Sequence, residues 1–206
     1  MKKNFKLLAL LMAIMLVAVL LPGCGGGDDD EFEIPEEIQA LADHVASVAA
    51  KYAKELDGGW GDLHEDMMES GLEEDYDSFE AMRDVLIDIL EESGARYVYA
   101  MYPEDISDSE APFFITVDGS EDPDEFGVEY ELELPFVKAW YGITSSSSYA
   151  WEDIWGGTYC WSAYAPIHDS NGDVVAILGV DWAAPEIRNF PEWNVDHDDW
   201  NELEEW

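Results

Sequence analysis

Basic residues are scarce in this 206-residue sequence, where nine Lys and Arg stand against 48 Asp and Glu and the formal net charge is −39 at pH 7. A surface of this sign repels nucleic acid and anionic lipid headgroups, so we expect no nucleic-acid partner. High salt screens the repulsion between the acidic residues. We therefore interpret the acidity as a trait of the surface or of a saline habitat, and not as a functional site.

Cysteine and histidine are too few to predict a disulfide or a metal centre. The two cysteines are Cys24 and Cys160, and the four histidines lack the mutual spacing of metal ligands. The segment from Asp169 to Val180 begins like a calcium loop but lacks the required glycine and the final glutamate. Serine-hydrolase, zinc-protease and phosphate-loop motifs are also missing, so we expect no enzyme, no metal and no cofactor.

Long apolar runs are confined to the N-terminus. Residues 7–21 are apolar without interruption and follow a lysine-rich start. This run is shorter than the roughly 20 apolar residues that span a membrane, and a basic start with a short apolar stretch is typical of an export signal. It ends in Leu21-Pro22-Gly23-Cys24, which resembles the lipobox of bacterial lipoproteins, whose cysteine is acylated. We therefore predict a signal peptide over residues 1–23 and a lipid on Cys24, with an uncleaved membrane anchor as the alternative.

Both alternatives place the rest of the chain outside the cytoplasm, tethered to the cell membrane of a bacterium. Residues 24–34 are predicted to be a flexible acidic tether, residues 35–189 one folded domain, and residues 190–206 an acidic, Trp-rich tail. Hydrophobic residues make up 48% of the sequence, which is enough for a core. No apolar run long enough to span a membrane follows Cys24, so we expect signal transmission to require a membrane receptor or transporter as partner.

Helical periodicity comes first along the domain and strand periodicity second. Apolar residues at three- and four-residue steps predict a long helix from Pro35 to the Gly58-Gly59 pair. Residues 60–76 are acidic and are predicted to be irregular. The capping pattern of Asp77 and Glu80 then starts a second helix, which ends at Gly94.

Alternation at every second residue predicts five strands after that helix, over 96–102, 112–118, 127–133, 158–167 and 174–182. A short helical turn is predicted over 135–142. Ser170-Asn171-Gly172 is typical of a tight hairpin between the last two strands. Two helices followed by mostly antiparallel strands predict an α+β fold with the helices on one face of a sheet.

Strand parity makes Asp181 the candidate binding residue. Asp181 shares a face of the last strand with Val175, Ile177 and Gly179, and both faces of that strand are apolar and so expected to be covered. A buried carboxylate needs a partner, which could be a basic residue, backbone amides or a cationic ligand. Three of the nine basic residues lie in the predicted signal, so few internal cations remain. A structural role in a turn is the alternative.

The run from Trp155 to Pro185 resembles the C-terminal half of a Cache domain, the PAS-like extracytoplasmic sensor module of bacterial receptors. The resemblance rests on four motifs in order: Trp155-Gly156, Ser162-Ala163-Tyr164-Ala165-Pro166-Ile167, Asp169 to Gly172, and Gly179-Val180-Asp181. With the preceding elements it covers roughly residues 35–187. It implies a long N-terminal helix packed on a five- to six-stranded antiparallel PAS-like sheet, with a ligand pocket on the opposite face.

The resemblance also implies a function and a site. Asp181 matches the aspartate that meets the ammonium group in amine-binding members, while Lys138 stands where amino-acid-binding members have an arginine for the ligand carboxylate. We expect a small-molecule-binding sensor or solute-binding lipoprotein whose ligand is an amine, an amino acid or a short carboxylate. A structural or adhesive acidic surface lipoprotein is the alternative. The expected ligand-binding residues are Asp181, Tyr99, Thr116, Asp118, Lys138, Trp140, Tyr141, Trp151, Ser162 and Tyr164.

Overall fold

A computed structural model describes residues 34–70, 76–105 and 111–194. The predicted signal peptide, the lipid acceptor Cys24, nearly all of the tether and most of the Trp-rich tail lie outside these residues and stay predictions. Within the described ranges, no helix combines the length and apolar character that crossing a membrane requires.

In the part of the chain that the structure describes, three helices precede the sheet. The first, α1 (Glu36–Leu56), buries one stripe of apolar side chains, as the periodicity predicts. It is followed by α2 (Gly59–Ser70) and α3 (Tyr76–Ser93). The prediction that residues 60–76 are irregular is therefore wrong over its described part. Trp60, His64 and Met67 are buried at four- and three-residue steps in α2, and this narrow stripe is hidden in the sequence by the acidic residues between them.

Seven strands form one antiparallel sheet. They are β1 (Tyr97–Pro103), β2 (Phe113–Asp118), β3 (Glu129–Tyr130), β4 (Ser145–Ser146), β5 (Trp151–Asp153), β6 (Thr158–His168) and β7 (Val174–Ala183). Their order is β3-β2-β1-β7-β6-β4, and β5 also pairs with β6. The two long strands, β6 and β7, form the predicted hairpin at the centre of the fold. Two 3-10 helices, Pro185–Asn189 and Pro191–Trp193, follow β7.

The predicted strand over 127–133 is wrong in extent, because only Glu129–Tyr130 joins the sheet. Gly127 has a φ of 89°, in the left-handed region that favours glycine, and this turns the chain just before the strand. After the strand the chain enters the short helix α4 (Leu134–Trp140), with a proline in its first turn. This helix confirms the helical turn predicted over 135–142.

The sheet separates two apolar clusters of the described residues. The larger cluster lies on the side of α1, α2 and α3 and contains Val98, Ala100, Leu178 and Val180 from the central strands. The smaller cluster lies on the other side, where Phe136 and Ala139 of α4 pack with Tyr99, Met101, Phe113, Ile115, Tyr164 and Ile177. Below, these are called the helix side and the α4 side. The α+β architecture with a long N-terminal helix on an antiparallel sheet is confirmed.

Candidate functional site

Asp181 lies on the α4 side near the end of β7, and only 4% of its surface is exposed. Its Cα is paired with Tyr97 of β1 and with Ser162 of β6, so both neighbouring strands flank it. The Tyr99 hydroxyl donates a hydrogen bond of 3.2 Å to Asp181 Oδ1, and the Ser162 side chain is a second hydrogen-bonding partner. Both side-chain partners named here are neutral hydroxyl groups.

The electrostatics of this carboxyl follow from that environment. Burial is the largest effect and raises the Asp181 pKa from 3.8 to about 7, with the charges of Asp118 and Asp153 acting in the same direction. The hydrogen bonds from Ser162 and Tyr99 oppose the rise. Asp181 therefore keeps its proton at pH values well above those at which an aspartate ordinarily ionises. A neighbouring cation would favour its ionised form.

Two tyrosines cover Asp181. Tyr99 and Tyr164 are both buried, and their hydroxyl oxygens lie 3.3 Å apart. Burial raises the pKa of both phenols well above 10, so each remains a neutral hydrogen-bonding group. The Tyr164 ring also meets the Phe136 ring of α4 edge-on at 4.6 Å between centroids. The α4 helix is thus in direct contact with the aromatic lining of the site.

A chain of contacts leads from Ser162 to a second buried carboxylate. The Trp151 indole N–H donates to Ser162 Oγ at 3.1 Å, and its ring stacks on Tyr97 with centroids 6.1 Å apart. The Tyr97 hydroxyl donates to Asp153 Oδ2 at 3.1 Å. Asp153 is fully buried and pairs with Arg96, whose Nε is 3.0 Å from the same oxygen. Arg96 is therefore engaged by Asp153 through its side chain, and only its backbone N–H reaches the Asp181 carbonyl oxygen, at 2.7 Å.

Five of the ten expected residues converge on this site: Asp181, Tyr99, Ser162, Tyr164 and Trp151. Asp118 lies on the same side of the sheet, since its Cα is paired with Tyr99. Both Asp118 carboxylate oxygens are used in its own loop, accepting the backbone N–H groups of Ser120 and Asp124 at 2.8 Å each. Asp118 thus contributes charge to the site while its hydrogen bonds hold the loop.

The other four expected residues lie elsewhere. Thr116 is on the helix side, where its Oγ1 is 2.9 Å from Nε2 of buried His64. Lys138 and Tyr141 are exposed on and after α4, and Tyr141 has 70% of its surface exposed. Trp140 packs on Tyr102 at 5.3 Å between ring centroids, in the part of β1 furthest from Asp181. These four residues are left out of the candidate site.

Three residues that the sequence did not single out belong to the surroundings of Asp181. Tyr97 is on the same face of β1 as Tyr99, and that parity could have identified it. Asp153 precedes the Trp155-Gly156 motif by two residues but carries no signal of its own. Tyr130 is the third: its hydroxyl donates to Asp124 at 2.9 Å, and burial, this hydrogen bond and nearby carboxylates, Asp181 among them, raise its pKa.

Comparisons with known proteins find similarity in structure only. No protein-family model matches the sequence, and no curated protein matches it in sequence. The chain is similar to the sensor domain of the Vibrio cholerae histidine kinase DctB, with 12% identity, a TM-score of 0.47 and coverage of 74% of this chain and 57% of that one. It is similar to the sensory domain of the Campylobacter jejuni chemoreceptor Tlp3 with isoleucine bound, with 11% identity, a TM-score of 0.40 and coverage of 73% and 62%.

A third similarity, to methyl-accepting chemotaxis protein X, has 18% identity, a TM-score of 0.36 and coverage of 71% and 60%. The chain spans about 57–62% of the length of these three structures. These similarities concern the outline of the fold. The fold that the resemblance implies, a long first helix packed on one face of an antiparallel sheet, is the fold that the structure has.

Proposed function

We propose that this chain is an extracytoplasmic, lipid-tethered protein that binds a small molecule carrying an amine, with Asp181 receiving the ammonium group. One observation carries the proposal: a buried carboxyl on the α4 side has hydroxyl side-chain partners and aromatic neighbours. A cation beside Asp181 would favour its charged form, and a charge-assisted hydrogen bond contributes about 1.5–3 kcal/mol. Tyr99, Tyr164 and Trp151 offer aromatic faces for contacts of about 0.5–2 kcal/mol with a desolvated cation.

The surroundings of Asp181 favour an amine over an amino acid. An amino acid brings a carboxylate, and the charges of Asp118 and Asp153 already act on Asp181. Lys138, the residue expected to meet a ligand carboxylate, is exposed on α4. Arg96 is held by Asp153. A ligand carboxylate bound here would therefore lie near acidic side chains with neither Lys138 nor Arg96 available to pair with it. This arrangement is electrostatically unfavourable.

A set of three compounds with one hydrocarbon skeleton tests the ligand class. Isoamylamine carries the amine alone, 4-methylvalerate carries the carboxylate alone, and leucine carries both groups. Thermal shift and calorimetric titration of residues 30–206, within a wider panel of amines, amino acids and short carboxylates, should give the order amine, amino acid, carboxylate. Asp181→Asn should weaken amine binding by roughly tenfold or more, which is about 1.4 kcal/mol.

The matched control is Asp84→Asn, which removes an equal charge from an exposed position on α3. It should leave binding within about twofold of the wild type, well short of the tenfold loss of about 1.4 kcal/mol expected for Asp181→Asn. The proposal is rejected if Asp181→Asn binds the amine as the wild type does, or if only carboxylates raise the melting temperature. In either case Asp181 is a structural residue.

A further inference from the structure

Two stacked aromatic side chains, Tyr97 and Trp151, cover the strand that carries Asp181. Tyr97 belongs to β1, and Trp151 belongs to β5, which pairs with β6 on the other side of β7. The two rings stack with their centroids 6.1 Å apart. Because Tyr97 is also the Cα partner of Asp181 between β1 and β7, the stacked pair covers β7 at the level of Asp181.

The Trp151 indole N–H occupies a hydrogen-bond acceptor beside Asp181. It donates to Ser162 Oγ at 3.1 Å, and Ser162 is the Cα partner of Asp181 on β6. The Ser162 side chain is also a hydrogen-bonding partner of Asp181. A hydroxyl oxygen that donates its proton can accept an N–H group, so an ammonium group bound to Asp181 has this oxygen as its second acceptor. The indole N–H therefore competes with an N–H of the proposed ligand for Ser162 Oγ.

The backbone around Trp151 is anchored on both sides, whereas its side chain is held by few contacts. Ala150 is fully buried, and its N–H donates to the Trp193 carbonyl oxygen at 2.8 Å. Asp153, two residues after Trp151, is also fully buried. The indole is partly exposed and is held by its single N–H donor and by one ring stack. A rotation of this side chain alone therefore uncovers Ser162 Oγ.

The two tyrosines that cover Asp181 are held more firmly than Trp151. Tyr99 and Tyr164 are both buried and belong to the apolar cluster on the α4 side, where the Tyr164 ring meets buried Phe136 edge-on. Moving either tyrosine would disturb this packing. Trp151 is not a member of that cluster, so its displacement opens a path to Asp181 and leaves the cluster intact.

We propose that Trp151 controls access to the amine site and selects ligands by their number of N–H groups. The incoming ammonium group displaces the indole N–H, donates one N–H to Ser162 Oγ and another to Asp181, and packs its hydrocarbon against the displaced ring. This inference rests on the proposed function and narrows the ligand class to amines that have at least two N–H groups when protonated. A tertiary ammonium has one N–H group and a quaternary ammonium has none, so neither can donate to both oxygens.

Trp151→Phe tests the competition in calorimetric titrations of residues 30–206, because it keeps an aromatic ring and removes the N–H donor. The substitution deprives Ser162 Oγ of its donor only in the unliganded protein. Isoamylamine should therefore bind about two- to tenfold more tightly, which is the range that one hydrogen bond covers. Trp155→Phe is the matched control, because it makes the same change at a side chain that is 84% exposed, and it should leave the affinity unchanged. N,N-dimethylisoamylamine, with one N–H group when protonated, should bind more weakly than isoamylamine and should gain nothing from Trp151→Phe.

The double variant Trp151→Phe/Ser162→Ala separates competition for the hydroxyl from a simple gain of space. Without the Ser162 hydroxyl there is nothing to compete for, so Trp151→Phe should not change the affinity of Ser162→Ala for isoamylamine. Fluorescence gives a second measurement: isoamylamine should change the tryptophan emission of the wild type and of Trp155→Phe, and this change should be lost in Trp151→Phe. Circular dichroism verifies folding, and Trp151→Leu, which also lacks a donor, replaces Trp151→Phe if that variant unfolds.

The outcomes distinguish this inference from the proposed function. If Trp151→Phe binds isoamylamine no more tightly than the wild type while Asp181→Asn still weakens binding, the role of Trp151 is overturned and the proposed function stands. An equal gain from Trp151→Phe with and without the Ser162 hydroxyl also overturns the inference. If neither the wild type nor Trp151→Phe binds any amine, both proposals are wrong.

Discussion

The Tyr99 ring lies directly over Gly179, where a methyl group would approach Tyr99 Cε2 to 2.3 Å. The reason for glycine is steric and not conformational, since residue 179 is in a regular strand position paired with both Tyr99 and Tyr164. The missing side chain at residue 179 leaves the space that Tyr99 occupies when its hydroxyl reaches Asp181. A strand glycine and a carboxylate two residues later thus act together to form the site.

Gly179→Ala should displace the Tyr99 ring and weaken its hydrogen bond to Asp181. Forcing an extra methyl group into a packed region typically destabilises a protein by about 1–3 kcal/mol. Urea denaturation of residues 30–206 measures the change. Gly59→Ala is the matched control, because a Cβ there meets nothing within 4 Å, and it should not destabilise the protein. Equal effects of the two substitutions would show that the contact with Tyr99 is unimportant.

The sequence was sufficient for the features that depend on regular periodicity. The step of three and four residues in α1 and the alternation in β6 and β7 gave the long helix, the central hairpin and the α+β class. Parity in β7 placed Gly179 and Asp181 on one face, and the structure has them on the α4 side together with Tyr99 of β1. In a long and regular strand the sequence alone shows which side chains share a face. The centre of the site, formed by Gly179 and Asp181, could therefore be predicted.

Thr116 shows where periodicity fails. Parity puts Phe114, Thr116 and Asp118 on one face of β2, but the pairing of β1 with β2 shifts register between Ala100 and Met101. The extra residue leaves Ile115 on the α4 side and both Thr116 and Val117 on the helix side. A one-residue bulge moves every later residue of the strand to the opposite face of the sheet. No residue of β2 would predict this bulge from the sequence. Lys138 and Tyr141 are exposed for another reason, because a motif fixes order along the chain but not which side chains face the sheet. Trp140 does pack against the α4-side cluster, but at Tyr102 and Phe113.

Lipidation of Cys24 is the prediction that tests export. It rests on Leu21-Pro22-Gly23-Cys24 after the apolar run over residues 7–21. Mass spectrometry of the native protein from membranes should show a mature chain that begins at an acylated Cys24. Cys24→Ser should abolish the acyl mass at this position, whether or not residues 7–21 remain attached to the chain. A native chain that starts at another residue without lipid contradicts the prediction.

Thermal stability should increase with salt. The net charge of −39 makes the folded state self-repelling at low ionic strength, and the Debye length falls to roughly 3 Å at about 1 M salt. The melting temperature of residues 30–206 should therefore rise between dilute buffer and about 1 M NaCl. An equally concentrated neutral osmolyte such as trehalose separates charge screening from solvent exclusion. A melting temperature that stays constant or falls with NaCl would show that repulsion between the acidic residues does not destabilise the fold.

The pH dependence of stability should reveal the proton on Asp181. Its pKa is raised from 3.8 to about 7 in the folded protein, mainly by burial, so the folded state keeps a proton that the unfolded state releases. The stabilising contribution is complete below about pH 4 and is lost as the pH rises through about 7, at up to about 1.4 kcal/mol per pH unit and about 4 kcal/mol in total.

His64 acts in the opposite direction, because burial lowers its pKa to about 4 and its stabilising effect is lost as the pH falls from about 6.5. Asp181→Asn isolates the first effect: the free energy of unfolding of the variant minus that of the wild type should increase between about pH 4 and 7 and level off above that. Urea denaturation at pH 4.5, 6 and 8 provides the values. A flat difference for Asp181→Asn would mean that the carboxyl is ionised in the folded protein at low pH, and the case for a cationic ligand beside it would then lose its electrostatic basis.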